Sequence, residues 1–144
     1  FGMGNRHIDD EAIDFILEWT RCHTFYVQYL CHCLYRDGGK KITLKDVRFV
    51  CAAILREGMN GYLERRNLLT DKQWRFLKAV AKEGCVTQPT AGEFLNKYKL
   101  GTAAAVKRIV TSLVEKELLL ETLSLEGKSY CVYNVFLSRW LESI

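Results

Sequence analysis

From Thr70 onward the chain sets out a fixed order of periodicities, and that order narrows the fold more than any other feature. Thr70 and Gln73 have the spacing of a capping box, and Trp74, Leu77, Val80 and Ala81 follow at helical intervals as far as Glu83-Gly84. The spacing predicts a helix over 71–82. Cys85-Val86-Thr87 reads as a short extended piece, after which Pro89 and Thr90 open a second helix carrying Phe94, Leu95 and Tyr98, closed by Leu100-Gly101. Thr102 caps a third helix, with Val106, Ile109, Val110, Leu113 and Val114 on one side and Lys107, Arg108, Thr111 and Glu115 on the other. Leu118 to Leu123 and Ser129 to Val135 read as two strands joined at Glu126-Gly127, with Tyr133 facing outward, and Phe136 to Leu141 as a closing helix.

The first half has a different texture. Asp9 and Asp10 are cap candidates for a helix bearing Ile13, Ile16, Leu17 and Thr20. A second helix runs from Thr24 to about Tyr35, with Phe25, Tyr29, Leu30, Cys33 and Leu34 along one side, and Asp37-Gly38-Gly39 stops it. A third begins at Thr43, which can cap a turn closed by Asp46, and presents Val47, Val50, Cys51, Ile54 and Leu55. Gly58-Met59-Asn60-Gly61 predicts a break, followed by a short helix or turn. The expected organisation is therefore a helical bundle over 1–57, a hinge over 58–69 and a second domain over 70–144, with no strand before about residue 85.

Helix, short strand, helix, helix, strand, turn, strand is the order of a winged helix, a helix-turn-helix variant whose third helix can enter the major groove of DNA and whose hairpin forms the wing. The fold class expected is mainly α. In that frame Thr102 lies at a helix N-terminus suited to a phosphate, and Lys107, Arg108 and Lys128 are the candidate cations. The charge excess is small: 11 Lys and Arg against 8 Asp and Glu over 70–144, and 10 against 9 over 1–69. Thr102-Ala103-Ala104-Ala105 lets the helix approach closely but reads little beyond a thymine methyl. Weak duplex DNA binding and a protein-interaction surface are the two roles this pattern supports.

Two stretches resemble a known family. Thr20-Arg21-Cys22-His23-Thr24-Phe25-Tyr26-Val27-Gln28-Tyr29-Leu30 is similar to the Thr-x-Gly-His-Pro-Tyr-Tyr-Val-Gln-x-Leu segment in the helical lid of prokaryotic STAND-type AAA+ ATPases, the archaeal ATPase family. Tyr130-Cys131-Val132-Tyr133-Asn134-Val135-Phe136, ending at Arg139-Trp140-Leu141, resembles that family's Tyr-x-Val-x-Asp-Pro-Phe-Phe-x-x-Trp-Leu ending. This sequence departs from the family at Cys22 for Gly, at Thr24 for Pro, and at Asn134-Val135 for Asp-Pro. The resemblance implies a lid followed by a winged helix, belonging to a parent protein whose P-loop core lies upstream and uses ATP and Mg. It also implies Thr20, His23, Tyr26 and Gln28 as candidate lid or nucleotide-sensing residues, and the missing ATPase core as a partner. The alternative is a free-standing winged-helix transcriptional regulator.

No Gly-x-x-x-x-Gly-Lys-Ser/Thr is present in the chain. The nearest run, Gly38-Gly39-Lys40-Lys41, lacks the spacing and the hydroxyl, so these residues are not expected to hold or hydrolyse ATP. Six cysteines sit mostly within periodic segments and read as buried thiols rather than a disulfide framework. Cys31 and Cys33 are two apart on a helix and diverge, so Cys22, His23, Cys31, His32 and Cys33 do not suit zinc. No catalytic residue or metal ligand is assigned. Hydrophobic residues make up 49% and charged residues 26%, which places the chain among packed globular proteins. The absence of an apolar run of membrane length and the Phe1-Gly2-Met3-Gly4 start carry the expectation of a cytoplasmic protein without a membrane partner.

Overall fold

The computed structural model describes residues 7–37 and 39–144. Gly38 and the Phe1-Gly2-Met3-Gly4 start, both used above, lie outside the described residues. The chain divides into two compact units, residues 1–59 and 60–144.

The first unit opens with strand β1 (His7–Ile8), helix α1 (Asp10–Trp19) and helix α2 (Thr24–Asp37), followed by strand β2 (Lys41–Ile42) and the start of helix α3 (Leu44–Asn67). The expectation of no strand before residue 85 is corrected: β1 and β2 pair in parallel, His7 opposite Lys41 and Ile8 opposite Ile42. Strands of two residues leave no alternation to read, although Ile42 is fully buried. Asp9 caps α1 without a side-chain hydrogen bond, and its carboxylate lies 3.9 Å from His7 and 4.0 Å from Lys41. At the start of α3 the Thr43 amide donates to Asp46 Oδ2 at 2.9 Å while the Asp46 amide donates to Thr43 Oγ1 at 3.3 Å, a reciprocal cap.

Between α1 and α2 the backbone turns through two left-handed residues, Arg21 at φ 55° and Cys22 at φ 57°. The Cys22 amide donates to the Leu17 carbonyl and the Arg21 amide to that of Glu18, so the turn satisfies carbonyls that the helix end leaves open. The apolar stripes are rotated from expectation. Ala12 and Ile16 on α1 and Thr20 at its C-cap are buried, whereas Ile13 and Leu17 are exposed; on α2 Tyr26, Leu30, Cys33 and Leu34 are buried, whereas Phe25 and Tyr29 are exposed.

The break expected at Gly58-Met59-Asn60-Gly61 is also corrected, because α3 runs unbroken from Leu44 to Asn67. Each interior glycine costs about 1 kcal/mol relative to Ala, and packing further along the helix opposes that cost. Tyr62 is buried with its ring 5.3 Å from that of Trp140, Trp140 lies 6.0 Å from Trp74, and the Arg66 guanidinium stands 5.7 Å over Trp74. The last turns of α3 therefore belong to the second unit rather than to a linker.

That unit continues with helices α4 (Asp71–Glu83), α5 (Gly92–Tyr98) and α6 (Ala103–Glu115), strands β3 (Leu119–Ser124) and β4 (Gly127–Val132), and helix α7 (Val135–Ser143). Thr70 and Gln73 form the capping box of α4, and Gln73 Nε2 reaches Ser112 Oγ on α6 at 3.1 Å. Helix α5 begins at Gly92 rather than at Pro89. The segment before it is held by Val86, which exchanges two 2.8 Å backbone bonds with Tyr130 and adds a third strand position to the hairpin. Strands β3 and β4 pair antiparallel, from Leu119 opposite Val132 to Ser124 opposite Gly127. Gly127 turns at φ 111°, a conformation open to glycine, with Ser124 Oγ bonding both the Glu126 amide and the Gly127 carbonyl. In this unit Trp74, Leu77, Phe94, Val106, Ile109, Val110, Leu113 and Val132 are buried, and Leu95 and Leu118 are half-buried. Phe76, Leu119, Tyr130 and the α7 residues Phe136, Leu137 and Leu141 complete its core. The result is a mainly helical chain whose second unit has winged-helix order.

Candidate nucleic-acid interface

Helix α6 presents its polar side because its apolar side is spent on the core: Val106, Ile109, Val110 and Leu113 face inward, leaving Lys107, Arg108 and Thr111 exposed. At its N-terminus Thr102 Oγ1 accepts the Ala105 amide at 3.2 Å, and the Thr102 carbonyl accepts that of Val106. The amides of Ala103 and Ala104 precede the first intrahelical bond, at the positive end of the helix dipole. Small exposed side chains at 103 and 104 leave that end open to a bulky anion.

The hairpin brings Lys128 beside the exposed side of α6, at Lys107 and Thr111. A groove of about 320 Å³ is lined by Lys107 and Thr111 of α6, Lys128 and Tyr130 of β4, and Thr87 and Thr90 of the preceding loop. Two of the four expected residues thus share one groove. Arg108 lies beside it, with Lys107, Ser112 and Glu115 around a neighbouring depression. Lys128 also pairs with Glu121 at 3.1 Å, a hydrogen bond that holds its ammonium above the ordinary lysine pKa while offsetting part of its field. Thr87, Thr90, Thr111 and Tyr130 were not legible as groove residues. Pro89-Thr90 carried a helix-start signal that masked the loop, and only the Val86 to Tyr130 bridge brings that loop beside β4.

The residues implied by the lid resemblance fall into two pairs. Thr20 is fully buried, its hydroxyl donating to the Ile16 carbonyl at 2.7 Å, and Tyr26 is buried with its ring 4.9 Å from that of His23. His23 and Gln28 are exposed near the start of α2. In the glycine-lysine run, Lys41 enters strand β2. Among the described residues no group of three His, Cys, Asp or Glu side chains is placed to hold a metal ion, and no helix is long and apolar enough to cross a membrane.

No curated protein and no solved structure matches the chain. The family described as probable winged helix domain matches residues 60–143, a span that begins within α3, ahead of the α4 capping box, and ends in α7. Its reach includes the Tyr62, Trp74 and Trp140 cluster as well as α6 and the wing, and the chain belongs to this probable winged helix domain family.

Proposed function

We propose that the second unit docks on duplex DNA, with α6 against the major groove and the β3–β4 hairpin beside it. The observation that carries this reading is the groove shared by Lys107 of α6 and Lys128 of the hairpin, on a helix whose N-terminus is capped by Thr102. Phosphate contacts of this kind fix position and salt response but not sequence choice, so the expected binding is nonspecific and on the order of micromolar or weaker at physiological salt. Fluorescence anisotropy with a labelled duplex tests it. Lys107→Glu with Arg108→Glu should lose affinity and give a shallower salt slope, and equal binding by variant and wild type overturns the reading.

The wider proposal is that the chain is the C-terminal regulatory part of a STAND-type AAA+ ATPase, with ATP and Mg bound by an upstream core and the winged helix passing on its state. Three observations support it, each at a place where this sequence differs from the family it resembles. The left-handed φ of 57° at Cys22 suits the family's glycine, and Thr24 is the first residue of α2, where proline is favoured. Asn134 caps α7 by accepting the Leu137 amide at 3.1 Å, with Val135 first in the helix, as Asp-Pro would. Calorimetric titration of the intact protein with ATP and Mg is the test, and no binding overturns the proposal.

A further inference from the structure

The charge count over 70–144 suggests a faint basic excess spread along the domain. Folding does not spread it. Of the 11 Lys and Arg in that span, Lys72, Arg75, Lys78, Lys82, Lys97 and Lys99 all belong to α4, α5 or the turn that follows α5. A shallow depression of about 400 Å³ is lined by Arg75, Lys78, Lys82, Lys97 and Lys99 beside Tyr98. Because the inward side of α4 is filled by Trp74, Phe76, Leu77, Ala79, Val80 and Ala81, its cations have only the solvent side left. Residues 75, 78 and 82 fall within about 60° of one another around the helix and span about 10 Å along it.

These charges are largely uncompensated. No acidic side chain among the described residues lines the depression, and Glu83, the last residue of α4, is engaged by Lys97 at 3.0 Å, a hydrogen-bonded ion pair that lowers the Glu83 pKa and raises that of Lys97. Among the described residues Arg75, Lys78, Lys82 and Lys99 pair with no acidic side chain. Arg75 Nη1 instead donates to the Lys99 carbonyl at 3.4 Å, bringing the α4 row to the turn that leads into α6. Lys99 itself stands at φ 52°, where an L residue is strained and glycine is not. A row of like charges with so little neutralisation repels itself and is relieved by a polyanion.

We propose that this α4–α5 face binds the phosphate backbone of duplex nucleic acid, as a contact surface separate from the α6 groove. Three cations over about 10 Å match the roughly three phosphates that one strand places along that length of duplex. Ala79 is buried and Tyr98 half-buried with its ring packed on Phe94 at 5.3 Å, so the depression offers neither the exposed apolar anchor of a protein interface nor a free ring for stacking an unpaired base. The inference goes beyond the α6 reading and requires no groove contact.

The test uses the full chain, a labelled mixed-sequence 20-base-pair duplex and anisotropy at several salt concentrations. Arg75→Gln, Lys78→Gln, Lys82→Gln together should weaken binding by about tenfold or more and reduce the slope of log K against log salt by about three, in the wild type and in the Lys107→Glu, Arg108→Glu background alike. Lys99→Gly guards against misfolding, since it removes a cation while relieving backbone strain. It should melt higher than wild type, bind more weakly and lower the slope by about one. Loss with the α4 variant but not the α6 variant supports this surface and overturns the α6 reading. Loss with the α6 variant alone does the reverse. Unlabelled polyglutamate or phosphatidylglycerol vesicles competing as well as unlabelled duplex, charge for charge, overturns the assignment in favour of an acidic protein or a membrane surface. Absence of wild-type binding at low salt overturns both readings.

Discussion

Replacing Cys22 by glycine should stabilise the first unit. Cys22 is exposed, so the substitution removes no buried apolar surface, and what it relieves is a left-handed backbone at φ 57°. That conformation costs an L residue about 1–2 kcal/mol. Glycine returns roughly 0.4–1 kcal/mol of this by enlarging the conformational freedom of the unfolded chain, leaving a net gain of about 0.5–1 kcal/mol. Cys33 and Cys51 are buried in the same unit and supply a local readout, because a thiol reagent reaches them only when the unit opens. A gain of that size slows their labelling about two- to fivefold, measured peptide by peptide by mass spectrometry with Cys22→Ala as the control. Alanine keeps the Cβ and the strain, so its rates should match wild type. Equal protection in the glycine and alanine variants would refute the argument that the turn is strained.

Leu113→Ala deletes a fully buried side chain of α6 and should cost about 2–5 kcal/mol, read as a lowered urea midpoint at constant slope; a loss below 1 kcal/mol would mean that the site collapses around the cavity. The Thr43 amide and hydroxyl hold the Asp46 carboxyl below the usual aspartate pKa, so its contribution to stability is complete above about pH 4 and fades as pH falls through the lowered value. The difference in stability between wild type and Asp46→Asn should therefore shrink toward acid, and a difference independent of pH between 6 and 2 would show that the carboxylate is not what the cap uses.

What could be read in advance was local. The caps at Thr43, Thr70 and Thr102 need only a hydroxyl and a partner three residues on, and all three are made. The α6 stripe was legible because five apolar residues at helical spacing face a polar run, and four of them are buried. The hairpin was legible because two apolar runs flank a glycine, but its second strand ends at Val132 rather than Val135, which is already the first residue of α7 behind the Asn134 cap. What depended on distant partners was not. Phe25 and Tyr29 are as apolar as Tyr26, and only the packing of α2 decides that Tyr26 is the one buried. The glycines at 58 and 61 carried a break signal that the aromatic packing of Tyr62 overrides. At the candidate interface, Lys107 and Lys128 were identifiable singly, but their common groove depends on the hairpin register. The α4 cations follow a helical row that could have been seen; counting net charge averaged it away.

Val86 and Tyr130 are joined by one reciprocal pair of backbone bonds, with all of α5, α6 and the hairpin turn between them. Such a contact cannot form early, since closing so long a loop for two hydrogen bonds is entropically unfavourable until the intervening helices have shortened it. The third strand position should accordingly assemble late in folding. Weakening it, by Val86→Gly for example, should speed unfolding while leaving the folding rate nearly unchanged. The loop carrying Thr87 and Thr90 would then be the last part of the groove to take shape and the first to open.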